Sequence, residues 1–110
     1  MLPHKNRLKL PALWSKTNPD FQVKTDLFKL VGKNYPSQEQ VKIGFIISSK
    51  VGKAVVRNRL RRFLANFFYK RLVKIKGSQE LVVIVFPAMA KASNEEINSN
   101  LNKILQKIYF

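Results

Sequence analysis

The stretch from Lys50 to Lys76 holds ten lysines and arginines and no carboxylate. An ordinary solvated helix places glutamate and lysine at i,i+4 spacing, because such pairs relieve repulsion. Here Arg57, Arg59, Arg61 and Arg62 surround Asn58 with nothing nearby in sequence to neutralise them, and Lys50 and Lys53 lead into the cluster. A missing counter-charge points to one supplied from outside the chain. Arginine suits phosphate because its planar fork donates two hydrogen bonds to one anionic group and also stacks on bases, while Asn58 adds neutral donors and an acceptor. The chemistry implied is the gripping of a phosphate backbone. A basic face kept only for solubility is the plainer reading of one isolated cluster.

Bond-breaking chemistry has no comparable set of residues. His4 is the only histidine and lies in a basic arm, which suits a solvated or phosphate-facing role better than that of a general base. The absence of cysteine excludes disulfides, thiolate catalysis and Cys-ligated zinc. Asp20, Asp26, Glu39, Glu80, Glu95 and Glu96 are scattered, whereas a two-metal nuclease needs its carboxylates together. Gly52-Lys53 looks like the end of a phosphate-binding loop, but the glycine that should open the loop is missing and Ala54 replaces the required Ser or Thr. No catalytic residue and no metal ligand is therefore expected in the protein.

The elements that must position the cationic cluster follow from apolar periodicity. Val56, Leu60, Phe63, Leu64 and Phe67 fall at helical spacing and predict a helix starting near Lys53. At 100° per residue, Arg57, Asn58, Arg61, Arg62 and Tyr69 project to the other side, with Arg59 towards one flank. Ahead of this helix, Val41, Ile43, Phe45 and Ile47 alternate with Lys42, Gly44, Ile46 and Ser48 and predict a strand. After it, Leu81 to Phe86 is a continuous apolar run of the kind buried on both faces, stopped by Pro87. Strand, helix and strand together imply a crossover.

Phe21 to Val31 suggests extended structure interrupted near Asp26, with turn chemistry expected at Gly32, Asn34 and Pro36. Ser93 and Glu96 have capping-box spacing ahead of the stripe Ile97, Leu101, Ile104, Leu105 and Ile108, which predicts a final amphipathic helix. Met1 to Lys9 reads as a basic arm, and Leu10 to Ser15 as a short helix started by Pro11.

The whole composition agrees with binding. The chain has 110 residues, 45% of them apolar, which suffices for one α+β domain over 1–110. Its formal net charge of +15 repels itself unless a polyanion neutralises it, and nucleic acid is the leading partner. No apolar run approaches the roughly 20 residues that span a bilayer. Met1 to Leu10 lacks the uninterrupted apolar stretch of a secretory signal, so a cytoplasmic location is expected. Three other classes share some of these features: a ribosome-associated structural protein, a self-sufficient metal-dependent endonuclease, and a DNA-binding helix module.

Lys42-Ile43-Gly44-Phe45, followed by Lys50-Val51-Gly52-Lys53-Ala54-Val55-Val56-Arg57-Asn58-Arg59-Leu60-Arg61-Arg62, closely resembles the signature of the bacterial ribonuclease P protein family. Asn6-Arg7-Leu8, the apolar strand ending at Pro87 and the final helix extend the resemblance over most of the chain. It implies a two-layer α-β-β-β-α-β-α sandwich, with a mixed four-stranded sheet and a left-handed βαβ crossover that general handedness rules would oppose.

The implied function is to assist a catalytic RNA in removing the 5′ leader of precursor tRNA. The implied partners are that RNA and the leader, with no membrane and no protein partner required, and with magnesium carried by the RNA. By the same resemblance, Arg57, Asn58, Arg59, Arg61 and Arg62 map onto positions that contact the catalytic RNA, with Lys50 and Lys53 beside them. A second surface, a cleft between the sheet and an N-terminal helix, holds the single-stranded leader in the family through aromatic and polar contacts. Trp14 matches the first aromatic position there. Asn18 and Val31 stand where the family often has aromatic residues, which leaves Phe28 and Tyr35 as the other candidates. Ser49 and Ala65 also depart from the family pattern, where lysine and arginine are common.

Overall fold

The computed structural model describes residues 21–34, 41–71 and 79–108. Their elements are β1 (Phe21–Lys24), β2 (Phe28–Asn34), β3 (Lys42–Ile46), α1 (Ala54–Tyr69), β4 (Gln79–Val85), a 3-10 turn (Pro87–Lys91) and α2 (Asn94–Ile108). The expected basic arm at 1–9 and the short helix at Leu10 to Ser15 lie outside the described residues.

Thr25 makes the first turn. Its backbone N–H donates to the Phe28 carbonyl at 2.8 Å, and its Oγ1 accepts from the N–H groups of Leu27 at 3.1 Å and Phe28 at 3.2 Å. A hydroxyl satisfying two turn amides is what Thr offers at a chain reversal, and it sets the antiparallel register Lys24↔Lys29 through Phe21↔Gly32.

Of the turn chemistry expected at Gly32, Asn34 and Pro36, the first two residues are not in a turn, because β2 runs on through both, and Pro36 lies outside the described residues. Gly32 answers a different demand. It faces Phe21 across the ladder, and a Cβ at this position would lie 2.1 Å from the Phe21 Cζ. The missing side chain lets the ring lie flat over the neighbouring strand, a close approach that only glycine allows.

The sheet order is β1-β2-β4-β3. β4 pairs antiparallel with β2 and parallel with β3, so the sheet is mixed and α1 forms the crossover between its two parallel strands. Lying between two partners, β4 is covered as its composition demands: Leu81, Val82 and Val83 are all fully buried.

Both helices pack on one face of the sheet. Leu60, Leu64, Phe67 and Phe68 of α1 and Ile97, Leu101, Ile104 and Leu105 of α2 share one core with Phe28, Leu30, Ile43, Leu81, Val83 and Val85. The predicted stripe of α1 is thus observed, widened by Ala65 and Phe68. Met89, in the turn after Pro87, plugs the same core. α2 starts on Ser93, whose Oγ accepts from the Glu96 N–H at 3.1 Å. Glu95 and Glu96 lie in its first turn, where carboxylates complement the helix dipole.

The other sheet face carries a small second cluster. Val31 and Val82 are buried there, with Ile46 and Ile84 packed against them.

Candidate nucleic-acid interface

The cationic cluster is built on the first two turns of α1, and the core beneath it makes it rigid. Leu60 and Leu64 are fully buried under the helix, so Arg61 and Arg62 between them must turn outward. Asn58, Arg59, Arg61 and Arg62 are exposed, as are Lys50 and Lys53 in the loop before the helix. Arg57 is half-buried, lower on the flank than the wheel projection placed it.

Each side chain is held differently. The Arg57 Nε–H donates to the Gly52 carbonyl at 3.1 Å, tying the approach loop to the helix it feeds. Arg59 reaches across to the 3-10 turn, where its Nη2 donates to the Ala90 carbonyl at 3.4 Å. Arg61 donates from Nη1 to the Asn58 Oδ1 at 2.8 Å, an i,i+3 pairing that fixes both groups on one face. All three bonds go to neutral acceptors, so the charge remains. A guanidinium has five N–H donors, and each of these arginines keeps most of its own for a ligand. Among the described residues, no carboxylate forms an ion pair with any of the four arginines.

The start of α1 adds to the positive field. Its N-cap residue is Lys53, with no side-chain cap, and its first turn holds no acidic residue. Uncapped N–H groups and the positive end of the helix dipole favour an anion there. Helices usually place a Ser, Asp or Glu at this end. Cations at the end where the dipole repels them cost the free protein stability and strengthen the site for a phosphate.

Further along the exposed face are Val55, 80% exposed, and Tyr69, 51% exposed. On the helical wheel both fall beside Arg62, so the face offers flat and apolar surface as well as charge.

The aromatic candidates separate. Trp14 and Tyr35 lie outside the described residues. Phe28 is fully buried among Leu30, Val85 and the helices, so no base can stack on it, and it is withdrawn as a leader-binding candidate. Its strand parity turns it towards the core, which its aromatic type alone did not reveal. Val31, by contrast, sits on the opposite sheet face in the second apolar cluster.

That face has a charge pattern which sequence reasoning missed. Cross-strand register aligns Lys42, Glu80 and Lys33 in one row, and Ile46, Ile84, Lys29 and Lys24 in another. Lys24 and Lys29 are directly opposed, an unfavourable like-charge pair in the isolated protein. Lys24 lies 5.8 Å from the centroid of the Phe86 ring, which offsets part of that repulsion. The signal was present in the alternation of β2, but only the register brings these lysines side by side.

Among the described residues no group of three or more His, Cys, Asp or Glu comes together to hold a metal ion. Nor is any helix among them long and apolar enough to cross a membrane.

Comparison with known proteins agrees with the geometry. A family model described as Ribonuclease P matches residues 2–109. The ribonuclease P protein component of Nocardioides sp. is 35% identical over 79 residues, which cover 72% of this chain and 67% of the relative. That of Bacillus pumilus is 28% identical over 80 residues, covering 73% and 67%. Among solved structures, the RNase P protein of Staphylococcus aureus superposes with a TM-score of 0.82 at 22% identity, over 96% of this chain and 98% of the other. The RNase P protein of Thermotoga maritima gives 0.79 at 20% identity, over 94% and 98%. The matched family model spans nearly the whole sequence and the architecture is shared, so the chain belongs to the bacterial ribonuclease P protein family.

Proposed function

We propose that the exposed face of α1, with Arg57, Asn58, Arg59, Arg61 and Arg62 and the preceding Lys50 and Lys53, is the surface by which this protein subunit of ribonuclease P grips its catalytic RNA. The subunit assists the RNA in removing the 5′ leader from precursor tRNA, and the RNA does the cutting. One observation carries the assignment of this face: four arginines stand on a rigid, core-backed helix without an acidic partner among the described residues. The protein supplies charge and geometry. Docking neutralises several phosphates and releases their counterions, so affinity should fall steeply with salt.

The leader belongs on the opposite sheet face, where Lys24, Lys29 and Lys42 border the cluster of Val31, Val82, Ile46 and Ile84. Val31 and Val82 are themselves buried, so the partly exposed Ile46 and Ile84 with the flanking lysines are left to meet a single strand, whose bases are unpaired and whose backbone is charged. Trp14 and Tyr35 remain the aromatic candidates for base stacking. The described residues gather no donor set for a metal, and the magnesium that the cut requires rides on the RNA. The same reading places the protein in the cytoplasm, with precursor tRNA.

Reconstitution tests this. At low magnesium the protein should raise cleavage of precursor tRNA by the catalytic RNA above that of RNA alone. Arg61→Ala combined with Arg62→Ala should flatten the slope of log affinity against log salt by about 2, roughly 1 for each phosphate contact, while circular dichroism stays unchanged. An unaltered slope would overturn the assignment of α1.

A further inference from the structure

The far end of α1 carries a second feature that the arginine cluster does not use. A cavity of about 330 Å³ opens between the last turns of α1 and the second turn of α2, lined by Phe63, Asn66, Phe67, Lys70, Arg71 and Asn98. Its size is that of a small-ligand site. Of its two rings, Phe67 is buried and covered by Arg71 while Phe63 is half-buried at the wall; two cations and two amides complete the lining, which holds no carboxylate. Glu95 and Glu96, the acidic residues of α2, stand in its first turn, one turn before Asn98, and are not part of the lining.

Arg71 is preorganised for a ligand. Its guanidinium carbon lies 3.7 Å from the centroid of the Phe67 ring, and its Nη1 donates to the Phe67 carbonyl at 3.1 Å. The ring and the carbonyl fix the plane of the group before anything binds, so little side-chain entropy is lost on binding. The remaining N–H donors suit a phosphate, and a fixed guanidinium plane suits a base. Lys70, exposed beside it, is a second cation. Asn98 brings an exposed amide of the kind that pairs with the edges of bases.

We infer that this cavity is a nucleotide pocket, which receives one unpaired nucleotide of the catalytic RNA docked on α1. The inference rests on the reading of α1 as the RNA face, and the continuity of that face selects the occupant. Arg62 and Lys70 stand on the same helix, about 12 Å apart along its axis at 1.5 Å per residue, so an RNA strand held at Arg62 passes the mouth of the cavity. A paired base would stay stacked in its helix and could not enter the cavity. An unpaired base can splay out and stack on the Arg71 guanidinium from the side away from Phe67.

The protein contains no cysteine, so Asn98→Cys introduces a single attachment point for a photo-crosslinker at the rim. In the assembled holoenzyme, the crosslink should map to an unpaired nucleotide of the catalytic RNA and should form equally with or without precursor tRNA. A crosslink found only in precursor tRNA, or none to RNA from a fully active holoenzyme, would overturn the pocket. Charge reversal gives an independent readout, with Lys70→Glu compared against Lys103→Glu, an exposed lysine of α2 outside the lining. Lys70→Glu should weaken binding to the catalytic RNA roughly five- to tenfold more than Lys103→Glu, as expected for a contact rather than a change in overall charge, with equal melting temperatures. Equal losses from both would overturn the pocket while leaving α1 as the RNA face, whereas failure of that broader reading would appear in Arg61 and Arg62.

Discussion

Arg57 and Arg62 are one helix face apart in environment, though only five positions apart in sequence. Arg57 is half-buried and ties the approach loop to α1 through the Gly52 carbonyl. Arg62 is exposed and makes no hydrogen bond or ion pair among the described residues. The two should therefore fail differently. Arg62→Ala should reduce the salt slope of RNA binding by about 1 and leave stability within about 0.5 kcal/mol of the parent protein. Arg57→Ala should weaken binding too, and also lower stability by about 1 kcal/mol through the lost hydrogen bond. Arg57→Lys keeps the charge but not the planar Nε donor, so it should recover more of the salt slope than of the stability. Urea denaturation alongside binding titrations at several salt concentrations separates the two quantities. The cluster itself was legible from the sequence, because charge without counter-charge is a compositional fact. Arg57's partial burial and Arg59's reach to Ala90 were not, since the latter depends on a carbonyl 31 positions away.

Elements with a strong period were readable in advance, and those set by long-range pairing were not. β3, α1 and α2 each repeat their apolar residues at the spacing of one buried face, and each appears where its spacing places it. Ala65 and Phe68 lay outside the predicted stripe of α1, because that helix packs against both the sheet and its neighbours and buries more than one line of residues. Gly32 and Asn34 carried turn chemistry, yet the pairing of β2 with β4 draws both into a strand. The position of β4 between β2 and β3 had no local signature beyond its uninterrupted apolar run. For α2, the Ser93 half of the capping box is observed: its hydroxyl takes the Glu96 amide as the spacing predicts. Ser93→Ala should lower stability by about 1 kcal/mol without changing RNA affinity, since the hydroxyl is spent on the Glu96 amide and its loss removes no charge. A combined measurement of chemical denaturation and RNA binding checks both halves of that expectation.

At the scale of the whole molecule, a net charge of +15 on 110 residues makes the free protein a self-repelling body. Opposed Lys24 and Lys29 and the uncapped, cation-flanked start of α1 are local instances of the same strain. Screening should relieve it: without RNA, the melting temperature should climb as sodium chloride rises from about 0.01 M to 0.15 M, over which the Debye length shrinks from about 30 Å to 8 Å. A scanning-fluorimetry series shows the trend, and a flat or falling curve would mean that the charges are already balanced internally. The sheet order has a further outcome for how the molecule is made. β4, the last strand in sequence, sits in the middle of the sheet, and without it the β1–β2 hairpin and β3 share no ladder at all. A growing polypeptide on the ribosome therefore finishes its cationic helix before the keystone strand arrives to seat it. Until then the chain is an adhesive segment with no foundation, and its safe emergence depends on how quickly that late insertion closes the sheet.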